Sequence, residues 1–341
     1  MRRRTAAIAA SVALAGLGSA CATTPAGLPP VAVMATGETA PVGTANADAA
    51  DDPAIWRNAA DPAASLIVAT DKRAGLYVYG LDGGVRSFVD AGAVNNVDLR
   101  ELADGRVIVV ASDRNDLTEA ALQVYLLDTR AGTLALLGRV AGGSGEGYGL
   151  CLGLTDGELR AYSVLKEGRV HEYLLGVDGV PTAAEGRVFS VPTQAEGCVV
   201  DDRDGTLYVA EENAGIWRFA AGLPAGELVA AVDNRYLVAD VEGLALAAEG
   251  QDAGYLIASS QGDNAYAVFR LPDMEPVGRF RVEAGTYGAT EETDGIDLVT
   301  GSFGAAYPQG LFVAQDGQNR PGAQNFKLVS WSDVQAALGF R

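Results

Sequence analysis

A polar residue standing directly before a short apolar segment recurs six times, and this repeat constrains the fold more than any other feature. Consecutive copies are 44 to 52 residues apart. The repeated polar positions are Asp52, Asn96, Tyr148, Glu196, Glu242 and Asp294. A near-constant period of this length is typical of proteins assembled from similar supersecondary units. The sequence therefore predicts a repeat architecture that extends over most of the chain.

Each period contains the signals of several strands. The apolar segment after the polar position is followed by a second strand such as Arg106–Ser112, a third such as Ala121–Tyr125 and a fourth such as Gly84–Phe88. Hydrophobic and polar residues alternate in these segments, and Asp-Gly turns separate them. Four strands in a period of about 45 residues form the blade of a β-propeller. We therefore predict an all-β fold, a six-bladed β-propeller with four antiparallel strands per blade.

The two ends of the chain determine how the predicted ring closes. The last period, from Asp294 onward, contains only three strand signals. The missing strand is predicted to be Val31–Met34, so that an N-terminal strand pairs with the last blade and covers its exposed edge. The clearest helical signal follows the last strand, where Ser332 is predicted to cap a helix over residues 333–338.

The N-terminus has the features of an export signal. Three arginines precede an apolar stretch, Thr5–Ala20, that is shorter than the roughly 20 residues of a membrane-spanning helix. Small residues around Ala20 fit ordinary secretion, whereas the segment ending at Cys21 resembles a lipoprotein box, and both interpretations stay open. The predicted organisation is a signal peptide at 1–22, a linker at 23–30 and a single propeller domain at 31–341.

These features predict where the protein is found and in what form. We expect export to the periplasm or the extracellular space, with Cys21 as a candidate lipid anchor and without a transmembrane span. A monomer is the default expectation for a closed ring.

The chain is strongly acidic, and this limits its partners. The formal net charge is −19. Nucleic-acid-binding proteins carry a basic footprint, so nucleic acid is excluded as a partner. A large acidic excess fits the binding of divalent cations. An anionic substrate would need a bound cation or a local basic cluster to approach such a protein.

The repeated polar positions predict a metal site. The innermost strands of a propeller line its axis, so equivalent residues of successive blades form a ring, with Asp51, Asp98, Asp240 and Asp297 close by. Carboxylates crowded into a partly dry site repel one another, and bound cations relieve that repulsion. Since all candidate ligands are oxygen atoms, the sequence predicts several Ca²⁺ ions in preference to Mg²⁺ or zinc. The alternative is that the Asp-Gly and Glu-Gly pairs only form turns.

A second ring is predicted at the end of the second strand of each blade. Its members are Lys72, Arg114, Lys166, Glu212, Gln261 and Asp316. The first three are basic, with Arg73 adding a positive charge, and the others are acids and an amide. Basic side chains bind phosphate directly, whereas acidic ones bind it through a bridging cation. The pattern indicates a mouth with a basic half and an acidic half, although any of these Lys or Arg residues alone could be a solvated surface residue.

Cysteine and histidine usage narrows the chemistry further. Beyond the signal region the chain has two cysteines, Cys151 and Cys198, each on a predicted inner strand. Two buried free thiols are the favoured interpretation, and a disulfide, which export would permit, stays open. His171 is the only histidine, so acid–base catalysis by a histidine pair is excluded. No nucleophile elbow or Walker loop is present either, so any chemistry must come from metal ions, water and carboxylates.

Seven segments, taken together and in order, resemble those of a known family. They are Asp48–Trp56, Asn95–Arg100, Leu207–Glu212, Asp240–Leu244, Ala258–Gly262, Thr293–Asp297 and Gly310–Gly317. On these segments the chain, from Glu38 to Phe340, is similar to the β-propeller phytases, the calcium-dependent alkaline phytases of bacteria. Any one of the segments alone would be weak evidence, and their combination is specific.

The resemblance implies an activity and a set of site residues. The activity is that of a 3-phytase-type phosphoric monoester hydrolase, which releases phosphate from phytate (myo-inositol hexakisphosphate) bound as its calcium complex. The implied calcium ligands are Glu38, Asp51, Asp52, Asn96, Asp98, Glu196, Glu212, Asp240, Glu242, Gln261, Asp294 and Asp316. The implied phosphate-contacting residues are Lys72, Arg73, Arg114, Tyr148, Lys166 and Glu167. The chain departs from the family pattern at Asp71, at Arg73 and in the shortened segment Gly145–Gly147.

The expected mechanism is attack on phosphorus by a water that calcium activates. Glu196 and Asp294 would hold the metal, and Lys72, Arg114 and Lys166 would stabilise charge on the phosphoryl oxygens. Two other functions stay open. One is a calcium-dependent lactonase-type propeller, which would need few basic residues at the mouth. The other is a non-catalytic periplasmic binding module in which calcium is structural.

Overall fold

The structure is a computed structural model, and it describes residues 26–45 and 48–340. The first elements are β1 (Val31–Met34) and β2 (Gly37–Glu38). Blade one contains β3 (Ala50–Trp56), β4 (Leu66–Asp71), β5 (Gly75–Gly80) and β6 (Val85–Asp90). Blade two contains β7 (Val94–Glu101), β8 (Val107–Asp113), β9 (Glu119–Asp128) and β10 (Thr133–Ser144). Blade three contains β11 (Gly147–Thr155), β12 (Glu158–Leu165), β13 (Arg169–Gly176) and β14 (Thr182–Ser190).

The second half of the chain repeats this plan. Blade four contains β15 (Ala195–Asp201), β16 (Thr206–Glu211), β17 (Gly215–Phe219) and β18 (Gly226–Ala231). Blade five contains β19 (Val241–Glu249), β20 (Ala253–Ser260), β21 (Ala265–Leu271) and β22 (Glu275–Glu283). Blade six contains β23 (Ile296–Thr300), β24 (Gly310–Asp316) and β25 (Asn325–Ser330), which α1 (Trp331–Leu338) follows. Within each blade, consecutive strands pair in sequence order, so the predicted six-bladed propeller is confirmed.

The hydrophobic core is divided among the interfaces between neighbouring blades. Six clusters of buried side chains each join one blade to the next, and the last joins blade six to blade one through residues such as Phe326 and Tyr79. Every residue of β8 is buried, because a second strand has neighbouring blades against both faces. Strands of this kind read as continuous apolar runs, whereas the outermost strands alternate with exposed residues.

The N-terminal strands close the ring differently from the prediction. β1 pairs in parallel with β22 and so adds a fifth, outermost strand to blade five. The two-residue strand β2 pairs antiparallel with β25 and supplies the fourth strand of blade six. Closure by an N-terminal strand is thus confirmed, but the assignment of Val31–Met34 to the last blade is wrong. A strand of two residues is too short to show a period of its own, so the sequence could not reveal it.

The C-terminal helix begins earlier than predicted. It starts at Trp331 with Ser330 as its N-cap residue, and it ends at Gly339, which has the left-handed conformation favoured at a helix C-terminus. The predicted cap, Ser332, instead lies 2.7 Å from the hydroxyl of Ser330. Trp331 and Val334 are buried in the cluster between blades five and six, so packing determines where the helix starts.

A disulfide joins two neighbouring blades. Cys151 on β11 and Cys198 on β15 are bonded, with their Cα atoms 5.6 Å apart. The prediction of two free thiols is therefore wrong. Both cysteines lie shortly after the repeated polar position, and the inner strands of adjacent blades run side by side around the axis. Only the closed ring brings the two sulfurs together, so spacing along the chain could not predict the bond.

The segment before β1 is held against blade five. The backbone N–H of Gly27 donates to Asp263 at 2.8 Å, and that of Leu28 donates to the carbonyl of Arg235 at 2.7 Å. The predicted signal peptide at 1–22 lies outside the described residues. Within the residues that the structure describes, no helix is both long enough and apolar enough to cross a membrane.

Candidate metal and phosphate site

Irregularities in strand pairing occur at the repeated polar residues of five blades. In blades one to five the pairing of the first strand with the second shifts at the polar position, for example between Ala195 and Cys198. A bulge of this kind turns a side chain out of the sheet and is common beside functional sites. The sequence could locate the polar residues, but it could not show how these bulges change the direction in which their side chains leave the sheet.

The glycines after the polar residues serve close packing rather than turns. A Cβ atom on Gly197 would lie 2.2 Å from the carbonyl oxygen of Glu242, and one on Gly243 would lie 2.7 Å from that of Asp294. Each glycine therefore lets the inner strand of the next blade approach its backbone. Both lie within or beside inner strands and not in turns. The turn interpretation of the Glu-Gly pairs is therefore not needed.

The ring opens into a large polar cavity at the beginning of the inner strands. Its volume is about 1220 Å³. The predicted site residues that line it are Lys72, Tyr148, Glu196, Glu212, Asp240, Glu242, Gln261 and Asp294. Residues of both predicted rings therefore meet in one place.

Three of the glutamates that line this cavity converge. Glu196, Glu212 and Glu242 each offer one carboxylate oxygen, and these three atoms lie within 4.8 Å of one another. Each side chain is at most 6% exposed. A buried set of convergent oxygen ligands of this kind could bind a metal ion.

Unpartnered oxygen atoms support this interpretation. Oε2 of Glu242 is buried without a hydrogen-bond partner, and Oδ2 of the fully buried Asp51 likewise has none. A buried carboxylate oxygen without a partner is unfavourable. A hard cation would satisfy these atoms, and the donor set is made only of oxygen, so the residues present fit such an ion.

The raised pKa values of these acids also indicate a cation site. Burial raises the pKa of Asp51 to about 6, that of Glu196 to about 7 and that of Asp294 to about 8, although Lys72 opposes the shift in each case. Burial, and then the charge of Glu196, raises the pKa of Glu242 well above its usual value. Without a cation the site therefore favours protonated carboxyl groups, and a bound cation would favour the ionised forms.

Lys72 lies among the acids. Its ammonium is 2.8 Å from Asp48, 2.9 Å from Asp51 and 3.0 Å from Asp294. Burial disfavours the charged amine, but Asp51 and Asp294 outweigh this effect and raise the pKa of Lys72. The side chain is therefore a permanent counter-charge for this part of the ring.

Two other predicted basic residues, Arg114 and Lys166, lie beside Tyr148. The guanidinium carbon of Arg114 lies 5.3 Å from the ring centre, and Nζ of Lys166 lies 4.9 Å from it. Burial, followed by the charge of Glu196, raises the pKa of Tyr148, so the phenol is neutral. Glu146 pairs with Arg114 and lies 3.9 Å from Lys166. Of the predicted basic half, only Arg114 and Lys166 lie together on this aromatic ring, whereas Lys72 lies among the acids.

Asn95 joins the basic and acidic halves. Its Oδ1 accepts a hydrogen bond from Arg114 at 2.6 Å, and its Nδ2 donates to Glu196 at 2.7 Å. Neither Asn95 nor Glu146 was predicted as a site residue. Each precedes a repeated polar position by one or two places, which is the only sequence signal for their role.

Two predicted metal ligands bridge blades instead of facing the cavity. Asp98 accepts a hydrogen bond from the N–H of Leu152 at 2.8 Å and pairs with Arg100 at 2.8 Å. Asp52 accepts one from the N–H of Val97 at 3.0 Å. With Asn96 these residues line a second cavity, of about 370 Å³, that follows the inner strands away from the glutamates. The structure thus does not bring Asp98 to the glutamate cluster.

The sixth member of the second ring differs from the predicted alignment. In blade five Leu244 pairs with Ala258, and Gln261 follows three residues later. In blade six Ile296 pairs with Ala314, so the equivalent position is Gly317 and not Asp316. The alignment was wrong by one residue because strand register cannot be read from the preceding alanine alone.

Asp316 and Glu38 lie together and do not line the large cavity, although Asn319, which contacts the same lysine, does. Both acids contact the ammonium of Lys327, at 3.2 Å and 2.6 Å. Lys327 was not predicted as part of any site, and its position within a strand gave no signal for one.

The outer rim of the site carries further predicted residues. Arg73 is exposed, and its guanidinium donates to the carbonyl of Asp48 at 3.0 Å. Glu167 is also exposed and lies 3.7 Å from Arg169. Arg320, which the sequence analysis missed, lines the acidic side of the large cavity from the loop after β24.

Fold and site together define the class of protein. It is a six-bladed propeller whose axial cavity combines buried carboxylates that could hold a metal ion with cations that suit an anionic ligand. The family model described as Phytase matches residues 3–341. The chain is 37% identical to the 3-phytase of Bacillus subtilis (strain 168), over 90% of this chain and 85% of that protein. The chain therefore belongs to the phytase family.

Solved structures of distant proteins share only the architecture. The α-L-arabinofuranosidase Arb93A of Fusarium graminearum, solved with an iminosugar inhibitor, has a TM-score of 0.58 at 10% identity, covering 89% of this chain and 100% of that chain. A chain of the mitotic checkpoint complex has a TM-score of 0.51 at 14% identity, covering 95% and 86%. Such similarities concern the fold, because propellers serve many unrelated functions.

Proposed function

We propose that this protein is a calcium-dependent phytase of the 3-phytase type, which releases phosphate from phytate bound as its calcium complex. The observation that carries the proposal is the contact, through Asn95, between a buried glutamate cluster and two cations stacked on Tyr148. A phosphate ester carries several negative charges, so it can bind both to metal held by the acids and to the cations beside them. A neutral lactone would leave the charges of Arg114 and Lys166 without a role.

Calcium would be held by the acids of the large cavity. Glu196, Glu212 and Glu242 would form the first set of ligands, with Asp51 and Asp294 beside them. When bound, the ions would neutralise these carboxylates, attract phosphate oxygens and lower the pKa of a coordinated water.

The side chains of the protein have separate tasks in this reaction. Arg114 and Lys166 would bind the oxygens of the reacting phosphate and stabilise the charge that develops on them. The neutral ring of Tyr148 fixes both cations from one side. Asn95 holds Arg114 and Glu196 in a constant relation, so substrate binding would not require the site to reorganise.

The other basic residues suit a second phosphate group of the same inositol ring. Lys72 would keep Asp51 and Asp294 ionised as ligands while offering its charge to the substrate. Arg73 and Arg320 lie at the rim, where a neighbouring phosphate could reach them. This arrangement would favour substrates with adjacent phosphates over isolated monoesters.

The deciding experiment measures free phosphate released from phytate with and without calcium. We expect release that depends on calcium and is lost on chelation. The variants Glu196→Gln and Glu242→Gln keep the size of the side chain but remove a charged ligand, so they should reduce kcat/KM at least 100-fold, about 2.7 kcal/mol or more. Normal release by a folded Glu242→Gln variant would reject the metal assignment, and activity on lactones alone would reject the substrate class.

We further propose that residues 1–22 are an export signal and that the mature protein works as a monomer in the periplasm or outside the cell. The acidic chain, the early arginines and the interblade disulfide support export. The mass of the mature protein distinguishes simple cleavage from lipid attachment at Cys21. A mass that still includes residues 1–22 would contradict both.

A further inference from the structure

Blade six contains a lysine whose charge is completely removed from solvent. The side chain of Lys327 on β25 is 0% exposed. Its ammonium lies 2.6 Å from Glu38 Oε2, 3.2 Å from Asp316 Oδ2, 3.0 Å from Asn319 Oδ1 and 3.0 Å from Asn325 Oδ1. We call these four atoms the peripheral oxygen cage. A buried charge is tolerated only when it is paired and hydrogen-bonded, and here the oxygen atoms provide both.

The cage has the composition of a calcium site. Two carboxylates and two amide carbonyl oxygens are the ligands that Ca²⁺ prefers in proteins. They come from β2, the end of β24, the loop after it and β25, so they converge only in the folded blade. Glu38 and Asp316 are two of the calcium ligands that the family resemblance implied.

The position that an ion would take is nevertheless filled. All four oxygen atoms lie within hydrogen-bond distance of the same nitrogen atom. A divalent ion coordinated by these atoms would lie against a buried ammonium, and the repulsion in such a dry place would be large. The residues present therefore do not fit a calcium ion at this place.

We propose that Lys327 is the resident cation of the peripheral oxygen cage, and that closure of blade six is independent of calcium. Glu38 lies directly opposite Lys327 in the pairing of β2 with β25. The ion pair thus joins the N-terminal strand to the last blade at the point where the ring closes. Calcium would stabilise this protein through the central glutamate cluster, while the seam between the chain ends carries its own positive charge.

The test compares two substitutions of the same lysine. Lys327→Ala removes the amine and opens the cage, whereas Lys327→Met removes the charge but keeps most of the volume. We expect Lys327→Ala to bind one more calcium ion per chain than the parent by equilibrium dialysis. Its melting temperature should fall in chelator and recover with calcium more than that of the parent. The Lys327→Met variant should be destabilised to a similar extent with and without calcium, because the cage stays filled.

A variant of Glu38 tests whether lysine or calcium occupies the cage even if the two Lys327 variants do not fold. Glu38 is about one-third exposed, so Glu38→Gln should be tolerated. If lysine holds the cage, Glu38→Gln will lower the melting temperature equally in calcium and in chelator, and the number of bound ions will not change. Loss of one bound calcium ion in Glu38→Gln, or no added ion in folded Lys327→Ala, would overturn the proposal. None of these measurements uses phosphate release, so they stay separate from the test of catalysis.

Discussion

At the scale of single residues, the acids of the ring and their partners differ in how they can be found. Glu196 and Glu242 occupy the same place in two repeats, so the period of the chain reveals them. Asn95 and Glu146 act by bonding side chains from other blades, and their only sequence signal is that each lies just before a repeated polar position. Partners of this kind depend on the direction in which a bulge turns a side chain, which is a property of the folded sheet.

Lys166 offers the clearest test of the basic half. Its side chain is 40% exposed and contacts Glu146 only at 3.9 Å, so it contributes little to stability. We expect Lys166→Gln to lower kcat/KM for phytate by about 10-fold to 100-fold, since a charge-assisted phosphate contact contributes roughly 1.5–3 kcal/mol. The melting temperature should not change. Steady-state kinetics with the calcium complex of phytate measures the effect.

Arg169→Gln is the matched control for this prediction. Arg169 lies in the same blade, loses the same charge and is 44% exposed, but its contacts are with Glu167 and the carbonyl of Ser144. Its kcat/KM should stay within about twofold of the parent, as expected for a screened surface charge. An equal loss in both variants would mean that the net charge of the mouth, and not a direct contact, is what matters.

At the scale of elements, the sequence predicted the positions of the strands well, but it predicted less well which strands pair with one another. The apolar runs and Asp-Gly turns identified the four-strand plan because each blade repeats it. Pairing that joins distant segments was missed or misplaced, as with β1 beside β22 and β2 beside β25. These choices depend on which edges lie side by side once the ring has closed, and local patterns contain no information about that.

The disulfide between blades three and four gives a prediction at this scale. Cys151 and Cys198 are 47 residues apart in sequence, so their bond restricts the unfolded chain substantially. The double variant Cys151→Ser/Cys198→Ser should lose about 2–4 kcal/mol of unfolding free energy. Urea denaturation measures the loss, and the reduced parent protein should behave like the variant. Two titratable thiols in the unfolded, unreduced parent would contradict the assignment.

At the scale of the whole molecule, the crowded acids of the ring link stability to both pH and calcium. Burial raises the pKa of Glu196 from 4.5 to about 7 and that of Asp294 from 3.8 to about 8. At a pH between the unfolded and the folded pKa of each group, the folded protein retains a proton that the unfolded chain has already released. Stability therefore falls as pH rises wherever the folded state binds more protons. In chelator, the unfolding free energy should decrease from about pH 4 to about pH 8, by roughly 1.4 kcal/mol per pH unit for each such group.

Calcium should remove this dependence, because ions held by ionised carboxylates compensate the charge that burial disfavours. The measurement is a series of melting temperatures across this pH range, in calcium and in chelator. The two curves should diverge as pH rises, and the divergence should become smaller in Glu196→Gln, which lacks one of the titrating groups. The peripheral oxygen cage is expected to hold Lys327 and no calcium. Any calcium effect that remains in Glu196→Gln would therefore come from the other acids of the ring. Parallel curves for the parent protein would show that these carboxyl groups are not where calcium acts.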